Sequence, residues 1–225
     1  MNYFNENKSI LSESFEKCVK GYHLINEDPI KESPWENINA LVFKHSGCNI
    51  ILLSGGSHKP GADLTCLINK EEISFSNKSA RRYKSSFKIS SYRLTRVCSS
   101  RDNGTIEEII AEINKRKNFG YYSIIVREES DTSIRYEWYV IPADYPELNP
   151  ESYVWKKKVN KKDSVTGWET DEINGSSMSI SFSMSSQLWI DLKITDELKK
   201  FRISKLKVKK ERKYDYIELY EKIKE

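Results

Sequence analysis

The turn at Asn69-Lys70 constrains this chain more than any other feature, because it sets which residues of two neighbouring strands face each other. Ala62 to Ile68 reads as a strand on one side of it, and Glu72 to Ser79 as a strand on the other. Two-residue loops are the commonest hairpin connections, and Asn tolerates the left-handed backbone that they require. With such a loop Asp63 lies opposite Ser76. Lys78 is then the diagonal neighbour on the same face, about 7–8 Å away between backbones. A four-residue loop would instead set Asp63 opposite Lys78. Either register brings a carboxylate and an ammonium together on one sheet face.

Around this hairpin the apolar spacing gives an outline. The first 20 residues, centred on Ile10 to Val19, have helical periodicity. A second helix is predicted to open at Ser33-Pro34-Trp35-Glu36, with Ser33 as cap, Pro34 at the first helical position and Glu36 as the capping-box acid. Its apolar face continues through Ile38, Leu41, Val42 and His45 until Gly47 ends it. Asn49 to Leu53 is a short strand, followed by a loop from Ser54 to Gly61. Thr105 to Lys117 is an amphipathic helix, and Tyr121 to Arg127 with Ile134 to Ile141 form a hairpin about Ser130-Asp131-Thr132. Pro142, Pro146 and Pro150 mark a boundary. Strands are expected beyond it at Ser152 to Val159, Ser177 to Met184 and Leu188 to Ile194, before a charged helical tail. The order predicts an α/β fold, a mixed β-sheet flanked by helices with a β-rich C-terminal part.

Composition narrows the setting. No stretch approaches the roughly 18–20 apolar residues of a membrane span, and the N-terminus lacks the layout of a signal peptide. A cytoplasmic protein is expected. Cys18, Cys48, Cys66 and Cys98 stand apart and read as free, mostly buried thiols; His23, His45 and His58 are equally scattered, against a zinc site. Residues 1–150 carry 20 basic and 20 acidic side chains, and residues 151–225 carry 17 and 13. The whole positive excess therefore sits in the last third, in runs such as Lys156-Lys157-Lys158, as suits a polyphosphate partner.

An aspartate and a lysine on one sheet face suit phosphodiester hydrolysis. The carboxylate can hold Mg2+, a hard ion that takes oxygen ligands, while the lysine orients water and stabilises added negative charge. An ordinary cross-strand ion pair has the same spacing. In the loop before the hairpin, Gly55-Gly56 is not followed by the Gly-Lys-Ser/Thr of a nucleotide-binding loop, and Ser57 is not in a hydrolase nucleophile elbow.

The segment Pro60-Gly61-Ala62-Asp63 followed by Phe75-Ser76-Asn77-Lys78-Ser79 resembles the PD-(D/E)XK nucleases, most closely type II restriction endonucleases. The likeness covers about residues 36 to 98. Pro60 stands three residues before Asp63, and Ser76 occupies the place where that family carries its second acid. The resemblance implies that an earlier helix lends the missing carboxylate, with Glu36 as the best candidate, read above also as a capping-box acid, and Glu72, close to the hairpin turn, as a poorer one. It further implies Asp63 and Glu36 as Mg2+ ligands, Lys78 and Ser76 beside them, and double-stranded DNA as substrate, cut at a short defined sequence by a monomer or a homodimer. A catalytic core is expected over 1–145 and a DNA-binding part over 146–225. Arg81, Arg82, Lys84, Arg93, Arg96 and Gln187 are the candidate DNA contacts, from a basic stretch interleaved with Tyr83, Ser90, Ser91 and Tyr92 and from a serine-rich strand. A structure-selective or repair nuclease and a non-catalytic DNA-binding module stand as the alternatives.

Overall fold

The computed structural model describes residues 2–53, 61–98 and 104–224. Helices α1 (Asn2–Glu6), α2 (Lys8–Tyr22) and α3 (Glu32–His45) come first. Strands β1 (Asn49–Leu53), β2 (Leu64–Ile68), β3 (Glu71–Tyr83) and β4 (Ser86–Arg93) follow, then α4 (Ile106–Arg116), β5 (Tyr121–Glu129) and β6 (Ser133–Pro142). The last third holds β7 (Trp155–Val159), β8 (Val165–Thr170), β9 (Ser177–Ser181), β10 (Gln187–Lys193), α5 (Asp196–Lys199), β11 (Arg202–Lys209) and α6 (Tyr216–Lys224).

The eleven strands among the described residues join one mixed sheet, ordered β11-β6-β5-β3-β4-β10-β9-β8-β7, with β2 and β1 branching from β3. The fold is therefore α/β with a large mixed sheet and few helices. The branching arises on the 13-residue β3. One edge of β3 pairs in parallel with β5 from Phe75 to Arg81. Its other edge pairs with β2 only as far as Phe75, and with β4 only from Arg82. A parallel partner needs a long crossover, and β4 with α4 provides it.

The hairpin register follows the two-residue loop. Asn69 and Lys70 both take positive φ, 51° and 68°, and Leu64 pairs with Phe75. The four-residue alternative is thereby excluded. Alternation along β6 then sorts the two cores. Tyr136, Trp138 and Val140 face the first three helices, while Tyr139 and Ile141 face the side covered by α4 and the β4–β10–β9 strands. Aromatic rings dominate the helix side: Phe43 lies 4.7 Å from Phe75, and Trp138 stacks on Phe15 at 5.6 Å. Truncating one such ring to alanine typically costs about 3–5 kcal/mol. The indoles of Trp35 and Trp138 donate to the Ser123 carbonyl and hydroxyl, so burial leaves no indole N–H unpaired.

Several expectations are corrected. Helix α3 begins at Glu32 with Lys31 as its extended, uncapped N-terminal residue. Ser33 is thus already helical, Pro34 is the third residue, and Glu36 is too far in to close a capping box. Within α3, Leu41 and His45 are exposed, and the buried face runs through Trp35, Ile38, Asn39, Val42 and Phe43. At its end Gly47 (φ 86°) lets the Cys48 and Gly47 N–H groups return to the Phe43 and Lys44 carbonyls, a Schellman closure. The polar stretch after Lys78 contains a full strand, β4. The charged tail opens as a strand, β11, and only Tyr216–Lys224 is helical. None of the four cysteines is joined in a disulfide. Among the described residues no helix is long and apolar enough to cross a membrane.

Candidate active site

The site lies where the sheet forks. Between Ser76 and Arg81 one edge of β3 has no strand partner among the described residues, so its backbone groups need another solution. Asp63, just before β2, supplies part of it. Its backbone N–H donates to the Phe75 carbonyl at 2.8 Å, and its Oδ2 accepts the Asn77 backbone N–H at 2.7 Å. The Ser76 hydroxyl donates to the same oxygen at 3.2 Å. Oδ1 has no protein partner among the described residues. The chain reaches Asp63 through Gly61, whose φ of 134° suits glycine and whose missing side chain leaves room for that of Asn118.

Lys78 Nζ stands 3.9 Å from Asp63 Oδ2, and its side chain is 14% exposed. It also reaches Glu32 Oε1 at 3.3 Å. Glu32 opens α3, and Glu36 follows one turn later on the same face. Glu36 makes no hydrogen bond or ion pair with the described residues. Burial holds its carboxyl above the ordinary value of 4.5, the Asp63 and Glu32 carboxylates push the same way, and Lys78 only partly offsets them. A half-buried carboxylate that neighbouring carboxylates disfavour marks a place suited to a cation.

Beneath these groups, Asn39 of α3 donates to Asn77 Oδ1 at 2.6 Å. Both asparagines are fully buried, and this amide bond ties the helix carrying Glu36 to the strand carrying Lys78.

The structure thus brings together Asp63, Ser76, Lys78 and Glu36. It adds Glu32, which the sequence reading missed because the helix was taken to start two residues later. The DNA-contact candidates fall into two groups at opposite ends of β4. Arg81, Arg82 and Lys84 lie at the β3–β4 turn, where Lys84 has a φ of 53°. Arg93, Arg96 and Gln187 lie at the far end, with Arg93 paired to Gln187 across the β4–β10 ladder. Strand β9 points Ser177, Ser179 and Ser181 away from the core, which takes Met178 and Ile180. Gly55-Gly56, Ser57, His58 and Pro60 lie outside the described residues.

Among the described residues no three His, Cys, Asp or Glu side chains converge into a metal cage. Mg2+ does not need one, since it keeps several waters and is commonly held by one or two carboxylates. The unpartnered Asp63 Oδ1 and Glu36 carboxylate are a donor set of that kind. No family model, curated protein or solved structure matches this chain.

Proposed function

We propose that this protein is a Mg2+-dependent endonuclease cleaving double-stranded DNA at a short defined sequence, of the type II restriction enzyme kind. One observation carries the reading: Asp63, Lys78 and Glu36 meet at an open strand edge, and two of the three carry uncommitted carboxylate oxygens. Asp63 and Glu36 would hold the ion, which supplies charge neutralisation at the phosphate and a water of lowered pKa. Lys78 sets its ammonium beside them, where it stabilises the negative charge gathering on the attacked phosphate. Ser76, bonded to Asp63, keeps that carboxylate turned toward the site, and Glu32 holds Lys78 in the interval before substrate arrives.

A second reading, a non-catalytic DNA-binding module, is favoured by one distance. Lys78 stands nearer Glu32 than Asp63, 3.3 Å against 3.9 Å, as in a structural ion pair. Plasmid DNA with Mg2+ separates the readings. Discrete fragments support a sequence-specific enzyme, a smear or nicks a structure-selective one, and intact plasmid the binding module. Asp63→Asn is the matching variant, because the amide oxygen still accepts the Asn77 N–H while the charge is lost. It should fold as the parent does and cut nothing; cutting at the parental rate would overturn the assignment.

A further inference from the structure

A second cluster of charge lies away from the fork, and neither the sheet nor the proposed chemistry uses it. Glu137 of β6 is a buried carboxylate, its side chain 3% exposed. Arg82 Nη1 approaches it at 3.0 Å from β3, Arg202 Nη1 at 3.4 Å and Lys205 Nζ at 3.5 Å, both from β11. The Tyr139 hydroxyl donates to Glu137 Oε2 at 2.5 Å. Burial alone would raise the Glu137 pKa; Tyr139 and the three cations together outweigh it and hold the group below its ordinary value.

Three cations around one anion leave two positive charges uncompensated inside the cluster. Arg82 and Tyr139 alone would satisfy a buried carboxylate with one charged and one neutral donor. Arg202 and Lys205 are held at longer range, repel Arg82 and each other, and keep donors to spare. Exposure rises in the same order, from 3% for Glu137 to 24% for Arg82, 31% for Arg202 and 48% for Lys205. The negative charge is the buried floor, and the three cationic side chains that converge on it are progressively more exposed. Lysines do guard open sheet edges, and Lys207 and Lys209 further along β11 fit that role. Convergence of residues from two strands on one point does not follow from edge protection.

We infer that Arg82, Arg202 and Lys205 form a phosphate-binding subsite on a Glu137 floor, which takes a phosphate group of a nucleic-acid backbone. The subsite is separate from Lys78. Arg82 lies four residues further along β3, roughly 13 Å away at strand rise, with the buried Ala80 between them. The backbone as source rests on the DNA-cleaving reading; the phosphate chemistry does not.

Full-length parent protein, Glu137→Gln, Lys205→Gln and the double variant Arg202→Gln/Lys205→Gln would be titrated with two probes. One is inorganic phosphate, followed by thermal shift and by NMR. The other is a duplex oligonucleotide with Ca2+, followed by fluorescence anisotropy. The double variant should lose on the order of tenfold or more in affinity for each probe, and the log–log salt slope for duplex should fall by about 0.9, as for one phosphate. Lys205→Gln, on an exposed side chain, should show part of that loss without a folding defect. Glu137→Gln should bind phosphate more tightly while melting at lower temperature, because it removes the competing anion and the buried ion pairs together. Parental affinity for both probes in the double variant, with Glu137→Gln only less stable, would overturn the subsite and leave the nuclease reading intact. Phosphate binding that the variants lose, with no duplex binding by the parent, would keep the subsite for free phosphate and count against the DNA reading.

Discussion

Glu36→Gln is the substitution on which the candidate site turns. Helix α3 starts at Glu32, so the position that closes a capping box is Pro34, and Glu36 has no capping bond to lose. Gln is isosteric and a comparable helix former, which isolates the charge as the only change. In the folded protein that charge is disfavoured by burial first, then by Asp63 and Glu32. Removing it should therefore stabilise the fold. The side chain is partly solvated, so after screening the gain is about 0.5 kcal/mol or less, or about 1–2 °C in Tm for a chain of this size. Cleavage should move the other way. Losing a group that holds charge in place at a reacting phosphate costs on the order of 10²-fold in rate, and the Mg2+ concentration for half-maximal cutting should rise. The assay is initial-rate cleavage of a labelled duplex across a Mg2+ titration, paired with thermal unfolding of the same samples. A variant that is slightly more stable yet much slower matches the site as drawn. An unchanged rate over the whole titration would refute Glu36 as the replacement for the acid missing at Ser76.

Three further outcomes are expected. Excess EDTA should abolish cleavage, whereas Ca2+ should support binding without cutting, because both ions take oxygen ligands but differ in geometry and in their hold on water; full activity in EDTA would end the mechanism. His23 is held neutral by burial, which lowers its pKa below 6.5, with Nδ1–H donating to the Asn26 carbonyl and Nε2 accepting from Tyr136. The unfolded chain therefore binds a proton that the folded one resists, so stability should fall as pH drops through about 6.5; urea midpoints at neutral and mildly acid pH should show this, and His23→Gln should flatten the slope. Asn39→Leu alone strands the buried Asn77 Oδ1, at a cost of about 1–3 kcal/mol, while Asn39→Leu/Asn77→Leu should cost less than the sum of the single changes; strictly additive unfolding energies would show that the amide pair does not couple helix to strand.

What could be read from the sequence is what depends on local rules. The Asn69-Lys70 turn announced itself because a two-residue loop between alternating runs has few geometries, and the Asp63–Ser76–Lys78 face followed from pairing arithmetic. Helix α4 was equally plain, with Thr105 and Glu108 closing a real capping box at its start. Helix α3 misled because Ser33-Pro34 imitates a start signal, although proline is tolerated anywhere in a first turn whose N–H groups have no helical partner. That single misplacement hid Glu32. Strand β11 was missed for a different reason. Arg202-Ile-Ser-Lys-Leu-Lys-Val-Lys carries strand alternation beneath a density of lysines that resembles a solvated tail, and only its pairing with β6 decides the matter. Strand β4 was not assigned because its apolar residues, Phe87 and Ile89, alternate with Lys88 and Ser90 in a stretch whose basic residues drew the reading toward DNA contacts. No local signal relates Arg82 to Glu137, or Asn39 to Asn77, since these pairs are made by the topology of the sheet.

That topology also explains why chemistry would gather where it does. A strand that changes partners midway must leave backbone groups unpaired at the change, and a buried unpaired N–H is costly. On β3 the change falls between Phe75 and Arg82, and the Asn77 N–H is met by the Asp63 carboxylate instead of by a neighbouring strand. A carboxylate used in this way is held rigidly by one oxygen while the other remains available, which an ordinary surface aspartate is not. The same gap exposes the strand edge to a long side chain from above, so the N-terminal turns of α3 bring Glu32 and Glu36 to Lys78 without loops. Ser76 and Lys78 sit on a strand and Glu36 on a helix, locked together by the Asn39–Asn77 hydrogen bond, with Asp63 pinned to that strand from just before β2; sites built on such elements keep their geometry better than sites built on loops. The ladder defect and the candidate site are therefore one feature: the fork requires a polar side chain at position 63, and an aspartate there meets the structural need while leaving an oxygen free to bind a cation.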